Sequence, residues 1–169
     1  VEDLLAAGVP VIGASGNWPV DRIPCVAFDA GAVVEAAVEH LTALRPALLV
    51  HLEFRTSGVP MHERRAQRFR EAAARRGLPA VTAELFRRAA EDDALTRRLP
   101  LAGRPAKRLA ELLLAWPRPA AVWCGEDLLA RRVCDAAVGL GLRVPRGIAV
   151  LGLGAFRAAP CGSPALSTL

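Results

Sequence analysis

Asp29, Arg65, Glu126 and Asp127 carry charges suited to gripping a small ligand, and Phe28 and Phe86 carry apolar faces. Arginine presents a planar fork of donors. Carboxylates accept from vicinal hydroxyls, and a phenyl ring covers ring carbons. Together these groups suit a polyhydroxylated molecule held in a cleft. Spacing alone leaves a second reading open, in which Asp29 and Asp127 are helix N-caps and Arg65 is a surface charge.

Other constellations fail on spacing. His51-Leu52-Glu53 has the H-x-E form of a zinc deaminase. Downstream, however, Pro160-Cys161 is followed by Pro164 where a second thiol is needed, so zinc would lack a ligand. His51 reads instead as a strand-end histidine, partly buried without a metal, His40 as a structural residue near a helix end, and His62 as a helix opener. Gly152-Leu153-Gly154 follows a strand as a dinucleotide fingerprint would, yet Arg157 takes the place of the third glycine. No GxxxxGK[ST] run is present, and Gly13-Ala14-Ser15-Gly16 is one residue short of a nucleophile elbow. Cys25, Cys124, Cys134 and Cys161 lack CxxC spacing and read as buried, reduced thiols rather than disulfides or metal ligands. With no nucleophile–base pair and no metal set, neither an enzyme nor a cofactor is expected.

The elements that must position the charged residues alternate along the chain. Residues 2–7 read as the end of a helix stopped by Gly8. Strands are expected over 9–14, 24–28, 47–52, 80–86, 120–124 and 148–153, with a short extended piece at 165–169. Helices are expected over 31–44 behind an Asp29 N-cap, 61–76 ended by Gly77, 105–116 between Pro105 and Pro117, and 127–140 ended by Gly141. The polar run 87–98 reads as loop or short helix. Strands alternating with helices of this length imply an α/β fold, a mostly parallel sheet sandwiched by helices. Ligands of such sheets sit beyond the carboxyl ends of the strands. That rule selects the loops after Phe28, Leu52, Phe86, Cys124 and Leu153.

Composition sets the outer bounds. A chain of 169 residues is one domain or a piece of a larger protein. Hydrophobic residues make up 53%, which excludes disorder, and no apolar run is long enough to span a bilayer. The first residues lack a basic n-region and an apolar h-region, so no signal peptide is read, and the absent initiator Met points to an upstream segment. The charge of +5 comes from arginine, with one lysine, Lys107, in the chain. Arg64, Arg65, Arg68, Arg70, Arg75 and Arg76 are interrupted by Glu63 and Glu71 and spread around a helix, which reads as a solvated face rather than a phosphate-binding one.

Three segments change the balance between the two readings of the charged residues. Pro119-Ala120-Ala121 through Glu126-Asp127 resembles a "P-T-A-x-x-x-x-N-D" pattern. Gly141-Leu142-Arg143-Val144-Pro145 followed by Ile148 to Gly152 resembles "G-L-x-V-P-x-D-I-S-V-V-G". Pro164-Ala165-Leu166-Ser167-Thr168-Leu169 resembles "P-x-L-T-T-V". In this order and spacing the segments resemble the sugar-responsive repressors of the lactose-repressor/galactose-repressor (LacI/GalR) family. Gly8 to Ile12, the Asp29 crossover, Glu39-His40-Leu41 and Arg65-x-x-x-Phe69 fit the same family, so the similarity covers nearly the whole chain. Glu126-Asp127 followed by Ala130-Arg131 looks most like the xylose-operon regulator branch, whose members carry an AraC-type DNA-binding module.

The resemblance implies a periplasmic-binding-protein-like type I fold of two lobes with effector between them. Residues 1–29 would end the first lobe, 30–154 form most of the second, and 155–169 return toward the first. It implies a cytoplasmic regulator without a membrane segment, a homodimer that binds a sugar-like effector here and operator DNA through a domain outside this chain. The rival of the same architecture is a periplasmic-type solute-binding protein for sugar transport. By matching position, Arg65 is the effector-binding arginine, Asp127 or Glu126 the cleft residue, Phe28 and Asp29 line the crossover, and Phe86 is a candidate aromatic wall. Three positions depart from the pattern: Gly154 replaces an effector-binding Asp, Glu126 replaces Asn, and Arg45 replaces a helix-ending Gly.

Overall fold

The computed structural model describes residues 1–14, 23–56, 60–88, 103–154 and 165–169; at 54–56, 60 and 86–88 it describes the backbone alone. The elements in chain order are α1 Glu2–Ala6, β1 Gly13–Ala14, β2 Cys25–Val26, α2 Ala30–Thr42, β3 Leu48–Thr56, α3 Pro60–Ala74 and β4 Ala80–Arg88. They continue with α4 Gly103–Ala115, β5 Ala120–Cys124, α5 Asp127–Gly139, β6 Ile148–Gly152 and β7 Ser167–Thr168. Among the described residues, β1 and β2 form a small parallel pair by themselves, and the other five strands form a parallel sheet in the order β4-β3-β5-β6-β7. This is the expected α/β class, a parallel sheet covered on both faces.

The period-2 alternation of β3 divides the core. Leu48, Val50 and Leu52 face α4 and α5 with Val122, Leu109, Leu113, Leu129 and Val133. Leu49 faces α2 and α3 with Trp123, Phe69, Val38 and Leu41. All of these are buried, each contributing on the order of 1.5–3 kcal/mol for a large side chain. β5 and β6 are buried at every residue, as expected of central parallel strands covered on both sides.

Asp29 caps α2, its Oδ1 accepting from Gly31 N at 2.7 Å and Ala32 N at 3.1 Å. Those amides, Ala32 first and Gly31 next, hold its carboxyl below the ordinary value. α3 and α5 end as Gly77 and Gly141 imply, with φ of 66° and 73°. After α2 the same left-handed conformation falls on Arg45, φ 51°, at the position where the resemblance expected glycine.

Two boundaries differ from expectation. Of the strand expected over 9–14, the ladder to β2 takes in Gly13–Ala14. Pro10 offers no N–H, and Ile12 is 71% exposed with nothing packed on it. β3 and β4 run past their expected ends because they pair with one another beyond a bulge, Arg55 opposite Arg87 and Thr56 opposite Arg88. The rest of the polar run 87–98 lies outside the described residues. Cys124 and Cys134 are buried free thiols and Cys25 is half-buried; Cys161 lies outside the described residues.

Candidate functional site

The sheet's topological switch point lies between β3 and β5. The chain leaves β3 through α3 to reach β4 on one side, and returns through α4 to β5 on the other. The crevice of such a sheet opens at the carboxyl ends of those two strands. Glu53, just beyond Leu52, and Gly125, just beyond Cys124, stand there, joined by Gly125 N–H donating to the Leu52 carbonyl at 3.1 Å.

Arg65 reaches this point from the second turn of α3. Its Nη1 donates to Glu53 Oε1 at 2.6 Å and to the Gly125 carbonyl at 3.3 Å. Its Cζ lies 5.8 Å from the centroid of the Trp123 ring. Both side chains of the ion pair are about nine-tenths buried. Nη2 and Nε of Arg65 have no partner among the described residues. Gly125 permits the arrangement: a Cβ there would stand 2.5 Å from Glu53 Oε1 and 2.9 Å from Arg65 Nη1.

His51 Nε2 and His62 Nδ1 lie 3.7 Å and 3.6 Å from Glu53 Oε2. Burial pushes the Glu53 carboxyl up, but His51, Arg65 and His62 outweigh it, and the group sits below its ordinary value. His51 is stacked on Trp123 at 4.6 Å and tilted against Phe69 at 5.5 Å. It is a core histidine, more deeply buried than the strand-end residue expected.

Asp127 begins α5 at the same end of the sheet, one strand further on. It is buried, and its Oδ1 accepts from Thr168 Oγ1 at 2.6 Å. A Cβ at Gly152 would fall 2.0 Å from that oxygen. Asp127 N–H donates to the Leu153 carbonyl at 3.1 Å. Three segments of the sequence resemblance therefore meet at one carboxylate: the Asp of "N-D", the Gly closing "S-V-V-G" and a Thr of "P-x-L-T-T".

Arg65 and Asp127 thus share the carboxyl end of the sheet, on either side of the β5–α5 turn, but each is turned to its own partner. Glu126 is half-buried at the N-cap position and makes no side-chain cap bond. Phe28 is 93% exposed. Asp29 is exposed at the start of α2, where Arg68 of α3 comes within 2.8 Å of the position a Gly31 Cβ would take. The Phe86 side chain lies outside the described residues. Glu53, Trp123, Gly125, Gly152 and Thr168 were not singled out from the sequence as site residues. Period 2 could have found Glu53, because it shares the α3 side of β3 with Leu49 and His51.

A parallel lobe with a charged crevice at its switch point, preceded by a separate strand pair, defines a small-molecule-binding α/β domain. Residues 26–169 match the model of the periplasmic binding protein-like domain, and the chain belongs to that family. A HTH-type transcriptional repressor PurR of Yersinia enterocolitica is 44% identical over 63 residues, 37% of this chain and 18% of the repressor. A xylose-binding transcription activator xylR superposes with TM-score 0.71 at 20% identity, covering 98% of this chain and 42% of that one. A LacI family regulator from Enterococcus faecium, solved with bound ribose, superposes with TM-score 0.74 at 17% identity, covering 99% and 57%. The chain therefore spans only part of the length of these relatives. They carry the names of regulators, in agreement with the expectation that no enzyme is encoded. No described helix is long and apolar enough to cross a membrane.

Proposed function

We propose that the chain is the effector-sensing region of a LacI-type transcription regulator and binds a small sugar-like molecule in a cleft between two lobes. Residues 1–29 end the first lobe, 30–154 make most of the second, and 155–169 return toward the first. The observation that carries this reading is Arg65 at the switch point, anchored through Nη1 with its other donors unengaged among the described residues. An anchored guanidinium is a pre-oriented donor for vicinal hydroxyls. Asp127, held by Thr168, and Glu126 supply acceptors across the β5–α5 turn; Phe28, Asp29 and Phe86 border the cleft. Leu4, Val9, Ile12, Val26 and Phe28 are all exposed apolar residues of the first 28, the surface a missing remainder of the first lobe would cover. Two neighbours in the same fold are titled with a pentose, which favours a sugar.

Ligand closes one lobe on the other, alters a homodimer interface in the cytoplasm, and changes operator binding by a module outside this chain. Calorimetry on the full-length regulator with a panel of pentoses and hexoses tests it. One sugar should bind, and Arg65→Ala should weaken it at least tenfold, since hydrogen bonds to a charged group are worth about 1.5–3 kcal/mol. Silence across the panel, or an unchanged response in Arg65→Ala, would refute the assignment.

A further inference from the structure

A cavity of about 310 Å³ lies between α3 and the edge strand β4, at the low end of the size range of small-ligand sites. None of Phe28, Asp29, Arg65, Glu126 and Asp127 lines it. Its inner wall is His51 and Glu53, and its outer wall comes from α3 and β4, with Gln67, Arg70 and Thr82 among the polar groups.

The inner wall has an unmet requirement. His51 is 1% exposed, and its Nδ1 lies 3.3 Å from the Trp123 carbonyl oxygen, which can only accept. Nδ1 therefore carries the ring proton, and Nε2 of the neutral ring is an acceptor. Nε2 is buried and without a hydrogen-bond partner. The atom facing it at 3.7 Å is Glu53 Oε2, another acceptor. Two buried acceptors turned toward each other are costly unless a donor-rich group sits between them. A hydroxyl has one proton to give. A primary ammonium has three, and one nitrogen can lie about 2.9 Å from both atoms when they are 3.7 Å apart. Charge points the same way. Glu53, Glu63 and Glu84 line the cavity against Arg70, and counting Arg65 behind Glu53 still leaves three carboxylates to two guanidiniums.

We propose that this cavity binds a primary ammonium carried on a small polar skeleton, its N–H groups directed at Glu53 Oε2 and His51 Nε2. Gln67, Thr82 and Arg70, which already donates to Thr82 Oγ1 at 3.0 Å, suit hydroxyls on that skeleton. The inference does not rest on the sugar reading.

The test is a matched pair, 2-amino-1,3-propanediol against glycerol, in which the ammonium is replaced by a hydroxyl. Calorimetry on the full chain should show the amine binding at least tenfold more tightly. Glu53→Gln should weaken the amine at least tenfold. Ala66→Leu, which fills the cavity from α3 and leaves the Arg65–Glu53 pair in place, should abolish amine binding. Nitrogen NMR of the His51 ring near neutral pH should show a neutral, Nδ1-protonated imidazole. Equal or absent binding of the pair, amine binding that survives Ala66→Leu, or a doubly protonated His51 already bonded to Glu53 would each overturn the proposal. A sugar response that depends on Arg65 while the amine does not bind sinks this inference and leaves the sugar reading standing.

Discussion

Glu53→Gln keeps the side chain's shape and removes its charge, leaving Arg65 about nine-tenths buried without its carboxylate. Breaking one half of a buried pair costs about 3–5 kcal/mol when the remaining charge has no other support. Here the Gly125 carbonyl at 3.3 Å and the Trp123 ring still hold the guanidinium, so the loss should fall near the lower end, about 3 kcal/mol. The sign of its pH dependence follows from the depressed Glu53 pKa. Stabilisation by a carboxyl held below its ordinary 4.5 is complete above that pH and is lost as pH falls through the native value. Urea unfolding of the parent and Glu53→Gln chains at a series of pH values measures both. The gap should be widest near neutrality and narrow on acidification below about pH 4.5. A gap under about 0.5 kcal/mol at neutral pH, or one that does not change with acid, would show that the pair contributes no net stability and refute the reasoning.

Arg45→Gly should stabilise the chain by about 1 kcal/mol, because glycine takes the left-handed conformation that Arg45 holds at φ 51° with strain; thermal melting should rise by about 2–4 °C. An unchanged or lower melting temperature would count against that origin of strain. Gly152→Ala should destabilise by about 1–3 kcal/mol, since its Cβ falls on the buried Asp127 carboxylate, and urea midpoints of this variant measure it. Thr168→Val should cost about 1.5–3 kcal/mol by the same assay, having removed a hydrogen bond to that carboxylate. Ellman's reagent should leave Cys124 and Cys134 unmodified in the native chain: burial pushes the Cys124 thiol well up and that of Cys134 up as well, and both should react on unfolding.

The order of strands and helices was legible because each carries its own signal. Period 2 and full burial mark β5 and β6, Asp29 marks the start of α2, and Gly77 and Gly141 mark the ends of α3 and α5. What was not legible is pairing between distant residues. The extension of β3 and β4 to Thr56 and Arg88 depends on each finding the other, which neither segment declares. The Arg65–Glu53 pair joins a strand to a helix 12 residues later. A reading of His51-Leu52-Glu53 for metal spacing asks the wrong question of it. The two side chains share a face of β3 two residues apart, and that face meets the α3 turn bearing Arg65 and Phe69.

Asp127 shows why a motif residue can serve two ends. Its carboxylate is fixed by Thr168 and fits against Gly152, so it locks the returning strand β7 to the first turn of α5. Closure of one lobe on another acts through segments that cross between them, and the residues on either side of 155–164 include this one strand. A ligand reaching Asp127 would therefore touch the residue that clasps the return segment. Asp127→Asn keeps an acceptor for Thr168 and removes the charge, whereas Asp127→Ala removes the clasp itself. If the two roles coincide, Asn should lose effector affinity with little loss of stability, and Ala should lose both.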